Sequence, residues 1–117
     1  MDLHLKRAYK EPEPDDGFRV LVDRLWPRGV AKDKAQIDLW LKEIAPSTEL
    51  RQWFQHDPQK WAEFRKRYFA ELDHAPEAVA LLAKQARQGK VTLVYGAKDE
   101  MHNQAVALAD YLARHAC

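Results

Sequence analysis

The sequence is poor in the residues that build disulfides and metal centres. Its 117 residues contain a single cysteine, Cys117, at the last position. One cysteine cannot form an intrachain disulfide, and chain ends are usually frayed, so we expect no catalytic role for this thiol. The five histidines are scattered and show no metal-site spacing. Phosphate-binding and dinucleotide-binding glycine motifs are also missing, so the sequence predicts no metal and no other cofactor.

Long apolar runs and a strong net charge are missing as well. No stretch approaches the roughly 20 apolar residues of a membrane span, and residues 1–7 lack the apolar core of a secretory signal. Nineteen basic and eighteen acidic side chains give a formal charge of +1, without the positive field of a dedicated nucleic-acid binder. We expect a soluble, cytoplasmic protein that binds no membrane and for which nucleic acid is a disfavoured partner. The oligomeric state stays open.

What is present is the composition of an ordinary globular protein. Apolar residues make up 46% of the chain and charged residues 32%, and 117 residues suffice for one hydrophobic core. We therefore predict a single domain over residues 1–117.

Three segments have the patterns of strands. Leu3 and Leu5 alternate with polar residues, as in a half-exposed strand. Residues 18–23 and 91–95 contain the continuous apolar runs of buried strands, which we expect at the centre of a sheet. Residues 11–17, rich in proline, separate the first two strands.

Apolar positions at helical spacing predict four helices. Ser47 is expected to cap the first of them, and Asp57 followed by Pro58 to begin the second. The third is expected to end at Gly89 in a left-handed conformation. The inward positions of the four helices are, in order, Leu50, Trp53 and Phe54; Trp61, Phe64, Tyr68 and Leu72; Val79, Leu82, Ala83 and Ala86; and Ala105, Leu108, Ala109 and Leu112.

Residues 37–44 fit either a strand or a helix, and we favour a strand. A helix before and after the strand at 91–95 is typical of a layered βαβ arrangement. The sequence thus predicts an α/β fold, with a small sheet of three or four mainly parallel strands flanked by about four helices.

Two polar segments directly follow the two buried strands: residues 23–29 (DRLWPRG) and residues 97–103 (AKDEMHN). Ligands of open α/β sheets bind at the carboxyl ends of the strands. We therefore predict that these segments form the functional site.

The first segment offers groups that bind anions. Arg24 and Arg28 carry planar, permanently charged guanidinium groups suited to a carboxylate or phosphate, and Trp26 can stack on a flat ligand. In the structural alternative, Asp23 pairs with one arginine and Trp26 packs in the core.

The second segment offers a cation and a titratable group. Lys98 precedes a predicted helix whose first turn suits an anion, and Asp99 is a candidate cap for that helix. His102 would lie early in the helix as a candidate acid or base, although a structural role is comparably favoured. Asn103 adds hydrogen-bonding capacity.

The end of the last strand adds further candidates. The Tyr95 hydroxyl could bind a ligand, and Gly96 would allow a ligand to approach the backbone; packing is the alternative for both. His56 and Asp57 could mimic a base and its orienting carboxylate, but Asp57 is better explained as a helix cap.

Four blocks of the sequence carry a resemblance to a known family. They are residues 19–29 (RVLVDRLWPRG), 38–47 (DLWLKEIAPS), 53–58 (WFQHDP) and 97–103 (AKDEMHN). Together they resemble the YeaO-like branch of the domain-of-unknown-function 488 family, over nearly the whole chain. The resemblance implies the family's fold, whereas the family has no settled activity to transfer.

The resemblance also implies a difference in chemistry. Other branches carry a cysteine after the last strand and a Cys-His-Arg triplet at the next helix. This chain has Tyr95-Gly96 and Met101-His102-Asn103 there, so His102 alone keeps its matching position and a thiolate nucleophile is absent.

Two hypotheses follow. In the first, the protein binds a small anionic or phosphorylated compound through Arg24, Arg28 and Lys98, and His102 is the candidate acid or base if it is an enzyme. In the second, it is a non-enzymatic protein- or nucleic-acid-interaction module that uses exposed tryptophans and the basic face of residues 60–67. The sequence leaves open whether the protein is an enzyme.

Overall fold

The computed structural model describes residues 2–115, with side chains through residue 114. Within this range four parallel strands form one sheet: β1 (Leu3–Arg7), β2 (Phe18–Leu21), β3 (Leu39–Trp40) and β4 (Val91–Tyr95). Their order is β1-β4-β2-β3. The predicted α/β fold with a mainly parallel sheet is confirmed, and the two buried strands lie at its centre. Cys117, for which no role was expected, lies outside the described residues.

Five α-helices accompany the sheet in the described part of the chain. Short 3-10 turns at Pro14–Asp16, Lys42–Ile44 and Pro58–Lys60 connect the elements. The α-helices are α1 (Lys32–Ala35), α2 (Thr48–Phe54), α3 (Trp61–Asp73), α4 (Pro76–Gln88) and α5 (Gln104–His115). None of these described helices is long and apolar enough to cross a membrane.

The helix starts agree with the predicted caps. Ser47 Oγ accepts a hydrogen bond from the N–H of Leu50 at 3.1 Å, which satisfies a donor of the first turn of α2. Asp57 Oδ1 accepts from the N–H of Gln59 at 3.0 Å. Asp57 thus caps the turn Pro58–Lys60, which runs directly into α3.

The end of α4 corrects one expectation. Gly89 follows the helix as predicted, but its φ of 177° is extended, so the left-handed conformation was wrong. The N–H of Gly89 still bonds to the carbonyl of Gln85 at 3.1 Å. The chain bends at Gly89 and enters β4 at Val91, so this connection is made with extended backbone rather than with a positive φ.

Residues 37–44 combine both alternatives. Leu39 and Trp40 pair with Val20 and Leu21 as a two-residue strand, and Lys42–Ile44 then form a 3-10 turn. The favoured strand is therefore confirmed only for its central residues.

The two faces of the sheet are covered differently. Side chains of a strand alternate between its faces, and Val20, Val22, Leu93 and Tyr95 belong to the main core. This core also contains the inward residues of α2 to α5, among them Phe64, Tyr68, Leu82 and Leu108, all essentially inaccessible to solvent. On the opposite face, Leu21, Val94 and Ala8 are packed by residues of the segment between β2 and β3, including Trp26, and by Trp40 of β3.

A buried ionic cluster completes the second face. Asp16 accepts hydrogen bonds from Arg19 Nη1 at 2.6 Å and from Lys6 Nζ at 2.9 Å. Burial alone would raise the pKa of Asp16, but these bonds outweigh it and hold the pKa below its usual value. Arg19 also donates to the carbonyl of Ala35 at 2.9 Å and 3.1 Å, which ties α1 to the sheet.

Candidate functional site

A cavity of about 260 Å³ lies at the carboxyl ends of β1, β2 and β4. Its walls come from residues after these strands, from α2 and the loop that follows it, and from the first residue of α5. Polar lining side chains are Asp23, Arg24, Arg51, His56 and Gln104. The position is the one at which open α/β sheets bind ligands.

Asp23 forms the floor of this arrangement at the end of β2. Its Oδ2 accepts a hydrogen bond from the N–H of Gly96 at 2.9 Å, and its Oδ1 accepts from the side-chain amide of Gln104. Burial raises the pKa of Asp23 to about 6, although the Gly96 N–H, the charge of Arg51 and the Gln104 amide all act to lower it. The carboxyl group thus changes charge close to neutral pH.

Gly96 allows this contact because it has no side chain. A Cβ at this position would lie 2.8 Å from Asp23 Oδ2 and 3.4 Å from Pro27 Cβ. The group that approaches the backbone of Gly96 in the structure is therefore the Asp23 carboxylate.

The two arginines of the cavity differ in how their guanidinium groups are held. Arg24 donates from Nε to the carbonyl of Pro46 and from Nη2 to that of Ala45, both at 3.1 Å. Its Nη1 forms no hydrogen bond with the residues that the structure describes. Arg51 is half-buried on α2. Within the described residues its guanidinium has no hydrogen-bond or ion-pair partner, and its charge acts on Asp23. Arg51 is thus the cation most available to a ligand.

His56 enters the cavity because the chain after α2 turns sharply. Gln55 and His56 both have positive φ values, 48° and 54°, a left-handed conformation that ends the helix. The His56 ring lies 5.7 Å from that of Phe54, centroid to centroid. Asp57 Oδ1 accepts the hydrogen bond that caps the next turn. The structure therefore supports the cap that the sequence favoured for Asp57 over its pairing with His56.

Of the seven predicted site residues, Arg24 and Trp26 line the cavity. The indole N–H of Trp26 donates to the carbonyl of Val30 at 2.7 Å, and its ring meets that of Trp40 edge-on at 5.4 Å. Structural packing thus accounts for part of this side chain. In contrast to the structural alternative, Asp23 forms no ion pair with either arginine of its segment among the residues described.

Arg28 and Lys98 are exposed and do not line the cavity. The carbonyl of Arg28 accepts a hydrogen bond from the Tyr9 hydroxyl at 2.8 Å, which holds the loop near the cavity mouth. Ligand binding by the two cationic side chains stays a prediction.

The start of α5 corrects the prediction for the second segment. The helix begins at Gln104, so His102 precedes it. Asn103, which is fully buried, is the cap: its Oδ1 accepts from the N–H of Val106 at 3.0 Å, and its Nδ2 donates to the carbonyl of Asp99 at 2.8 Å. Asp99 instead caps the preceding turn, where it accepts from the N–H of Met101 and of His102.

His102 is paired with Asp99 outside the cavity lining. Its Nδ1 lies 3.0 Å from Asp99 Oδ2, and its ring meets that of Trp61 edge-on at 5.4 Å. The N–H of Met101 and the His102 side chain lower the pKa of Asp99. A base held by a carboxylate is an arrangement used in catalysis, and the predicted catalytic role of His102 stays a prediction.

Tyr95 lies in the main core rather than in the cavity lining. Burial and the charge of Glu100 raise the pKa of its hydroxyl, which Asn103 and Arg7 partly offset. Packing, which the sequence left as the alternative, accounts for its position. A contact of this hydroxyl with a ligand stays a prediction.

Two polar residues of the cavity were missed by sequence reasoning as site residues: Arg51 and Gln104. Each follows from tertiary packing, because α2 and α5 bring them to the strand ends. His56 was considered only as a partner of Asp57 and discounted. A local signal existed only for Asp23, the first acidic residue after the apolar run of β2.

Comparison with known proteins assigns nearly the whole chain to one family. Residues 2–116 match the family model described as the inactive DUF488-N3 subclade. The chain belongs to this family. It is 46% identical over 112 residues to the uncharacterized protein YeaO of Escherichia coli K12, covering 96% of this chain and 97% of the relative. No solved structure matches it significantly.

A mycobacterial relative is similarly close. The uncharacterized protein Rv3073c of Mycobacterium tuberculosis H37Rv is 42% identical over 110 residues, which cover 94% of this chain and 92% of the relative. The resemblance to the YeaO-like branch of the family is confirmed.

Proposed function

We propose that the protein binds a small ligand bearing a carboxylate or phosphate group in the cavity at the strand ends, and that it does so without catalysing a reaction. The observation that carries this proposal is Arg51, a half-buried arginine that lines the cavity and whose guanidinium group has no hydrogen-bonding partner among the described residues. Buried cations are normally paired, and a guanidinium group is suited to bidentate binding of carboxylate or phosphate.

The charge balance of the cavity favours an anion. Arg24 and Arg51 contribute two permanent positive charges, against one carboxyl group whose pKa lies near 6. In a partly desolvated site such charges are screened less than at the surface. At neutral pH and below, the cavity therefore attracts negative charge.

The volume limits the size of the ligand. At about 260 Å³, the cavity is smaller than the roughly 300 to 1,000 Å³ of sites for drug-sized molecules. The ligand expected is a small metabolite or inorganic anion.

Binding is favoured over catalysis for two reasons. The family model that matches this chain is described as an inactive subclade. In addition, His102, the predicted acid or base, does not line the cavity. One observation favours catalysis instead, namely the pairing of His102 with Asp99. For His102 to act as acid or base, however, a substrate would have to bind outside the cavity.

The alternative interaction module has less support from the surface. Three of the four basic residues on and before α3 are engaged: Arg65 with Asp110, Arg67 with Glu63 at 2.9 Å, and Lys60 with the carbonyl of Trp53. Lys66 is exposed, and one lysine does not make a basic face. The tryptophans expected to be exposed are all half-buried. Neither set forms the free surface that the alternative requires.

The proposal is tested by titrating the protein with inorganic phosphate and with succinate, followed by NMR chemical shifts and calorimetry. Arg51→Gln removes the available cation, and we expect about 10- to 100-fold weaker binding, the loss of a charge-assisted hydrogen bond worth about 1.5 to 3 kcal/mol. Arg114→Gln, the same substitution on an exposed arginine of α5, is the matched control and should bind as the wild type does.

Two results would overturn the proposal. One is the absence of saturable shifts at the cavity residues with either anion. The other is loss of binding in Arg28→Gln with none in Arg51→Gln, which would place the anion on the loop, as the sequence predicted. Turnover of a phosphate ester that His102→Gln abolishes would instead establish the catalytic alternative.

A further inference from the structure

The cavity contains a negative group as well as positive ones. Asp23 lies at its floor, with Arg24 and Arg51 in the same walls. A ligand that carries only negative charge would be attracted by the arginines and repelled by the ionised Asp23 carboxylate. The arrangement of charges in the cavity therefore bears on both the negative and the positive groups of the ligand.

Within the described part of the chain, the Asp23 carboxylate accepts hydrogen bonds only from neutral groups. The N–H of Gly96 lies 2.9 Å from Oδ2, and the Gln104 amide donates to Oδ1. An ionised carboxylate has about four acceptor positions on its two oxygens. These two bonds leave capacity unused, and neither of them neutralises the charge.

Arg51 is in the complementary situation. Its charge acts on Asp23, but the two side chains form no ion pair, and its donors have no partner in the described residues. One cavity thus has an acceptor group and a donor group of opposite charge that do not satisfy each other.

We propose that the ligand is a small zwitterion of the amino-acid type, with its carboxylate at the guanidinium of Arg51 and its ammonium group at the carboxylate of Asp23. This inference rests on the proposed anion binding and names the class of ligand. Both charged groups of such a molecule are paired on binding, and so are both groups of the protein. Arg24 contributes its remaining Nη1 to the carboxylate.

The raised pKa of Asp23 is consistent with this assignment. Burial without a cation in contact raises the pKa to about 6, which is a cost to the ionised form. An ammonium group beside it favours ionisation. Binding of a zwitterion near pH 6 is therefore expected to release protons from Asp23.

The test compares ligands that differ by one ammonium group: propionate with β-alanine, and succinate with aspartate. For the wild type at pH 7, we expect the amino compound of at least one pair to bind about tenfold more tightly, since a charge-assisted hydrogen bond is gained. This measurement needs no variant, so it stands even if a substitution unfolds the protein.

Asp23→Asn sharpens the test because the two ligand types should respond in opposite directions. The amide keeps a carbonyl oxygen for the Gly96 N–H but loses the charge. It should weaken binding of the amino compound several-fold and strengthen binding of its unsubstituted partner several-fold. Arg51→Gln should weaken both.

Each outcome decides between the two proposals. Equal binding within both pairs, with both lost in Arg51→Gln, would overturn the zwitterion and leave anion binding intact. No binding of any of the four compounds, together with none of phosphate, would overturn both. A pair in which Asp23→Asn shifts both affinities in the same direction would also exclude the ammonium contact with Asp23.

Discussion

The two polar segments at the carboxyl ends of β2 and β4 use their side chains in contrasting ways. Residues 23–29 hold Asp23 and Arg24 at a cavity, with the Asp23 carboxyl group in contact with neutral donors and its pKa raised. Residues 97–103 use Asp99 and Asn103 to cap their own turn and the start of α5. The two segments are similarly polar in sequence, but the buried carboxylate of the first lowers the stability of the fold, whereas the caps of the second raise it.

The difference teaches how to separate binding groups from structural ones. A polar side chain whose hydrogen bonds are all made within a few residues contributes to stability. One that is buried with its charge uncompensated lowers stability, and such groups cluster at functional sites. Substitutions in each segment test this contrast.

The largest effect is expected from Asp23→Asn, measured as the free energy of unfolding against pH. The folded pKa of Asp23 is about 6, above the ordinary 3.8, so the folded state holds the proton more tightly. Its favourable contribution is fully present below about pH 4 and is lost as the pH rises to about 6. About two pKa units at 1.36 kcal/mol each amount to about 3 kcal/mol.

Relative to the wild type, Asp23→Asn should therefore gain up to about 3 kcal/mol between pH 4 and pH 7. Urea unfolding at several pH values measures the difference, in which other titrating groups cancel. If the difference in unfolding free energy between variant and wild type does not vary with pH, burial of Asp23 does not destabilise the fold. The contrast between the two segments would then be wrong.

The next effect concerns the second segment. Asn103→Ala removes the cap of α5 and leaves the partly buried N–H of Val106 and carbonyl of Asp99 without their partners. We expect a loss of about 2 kcal/mol in urea unfolding, since lost caps cost about 0.5 to 2 kcal/mol and unsatisfied buried groups about 1 to 3.

Asn103→Ser restores a capping oxygen and should recover part of this loss. Phosphate titration of a folded Asn103 variant then decides the prediction made from sequence. Weakened binding would make Asn103 a ligand residue as well as a cap, and the two segments would no longer differ in kind.

The smallest effect joins the two segments. In Gly96→Ala the new methyl group would lie 2.8 Å from Asp23 Oδ2, so the carboxylate must move and lose the Gly96 N–H. We expect a cost of about 1 to 2 kcal/mol from overpacking. The pKa of Asp23, followed by NMR, should change in the same variant. An unchanged stability and pKa would show that the contact is not tight.

Much of the fold was predictable because local patterns and tertiary packing agree. The apolar runs of β2 and β4 are buried on both faces, as central parallel strands require. The cap at Ser47 and the inward face of α3 follow from local chemistry alone. The left-handed conformation predicted for Gly89 was wrong because the path from α4 into β4 depends on how the helix packs on the sheet, which the sequence does not display.

The candidate site was predictable only in its position. The rule that ligands gather at strand carboxyl ends led to Arg24 and Trp26. Arg51 and Gln104 lie on helices whose placement over the sheet depends on contacts far apart in sequence. Conversely, Asn103 resembles a ligand residue in sequence because capping and binding use the same amide group.

The strand order also bears on how the protein is made. β1 pairs with β4 alone, and β2 contacts β1 only through β4. On the ribosome, the first strand therefore remains without a neighbour until residues 91–95 have emerged. Such distant pairings slow folding and expose strand edges in the meantime. A chain released before β4 could assemble no more than the pair β2 and β3. The four-stranded sheet can therefore form only when synthesis is nearly complete.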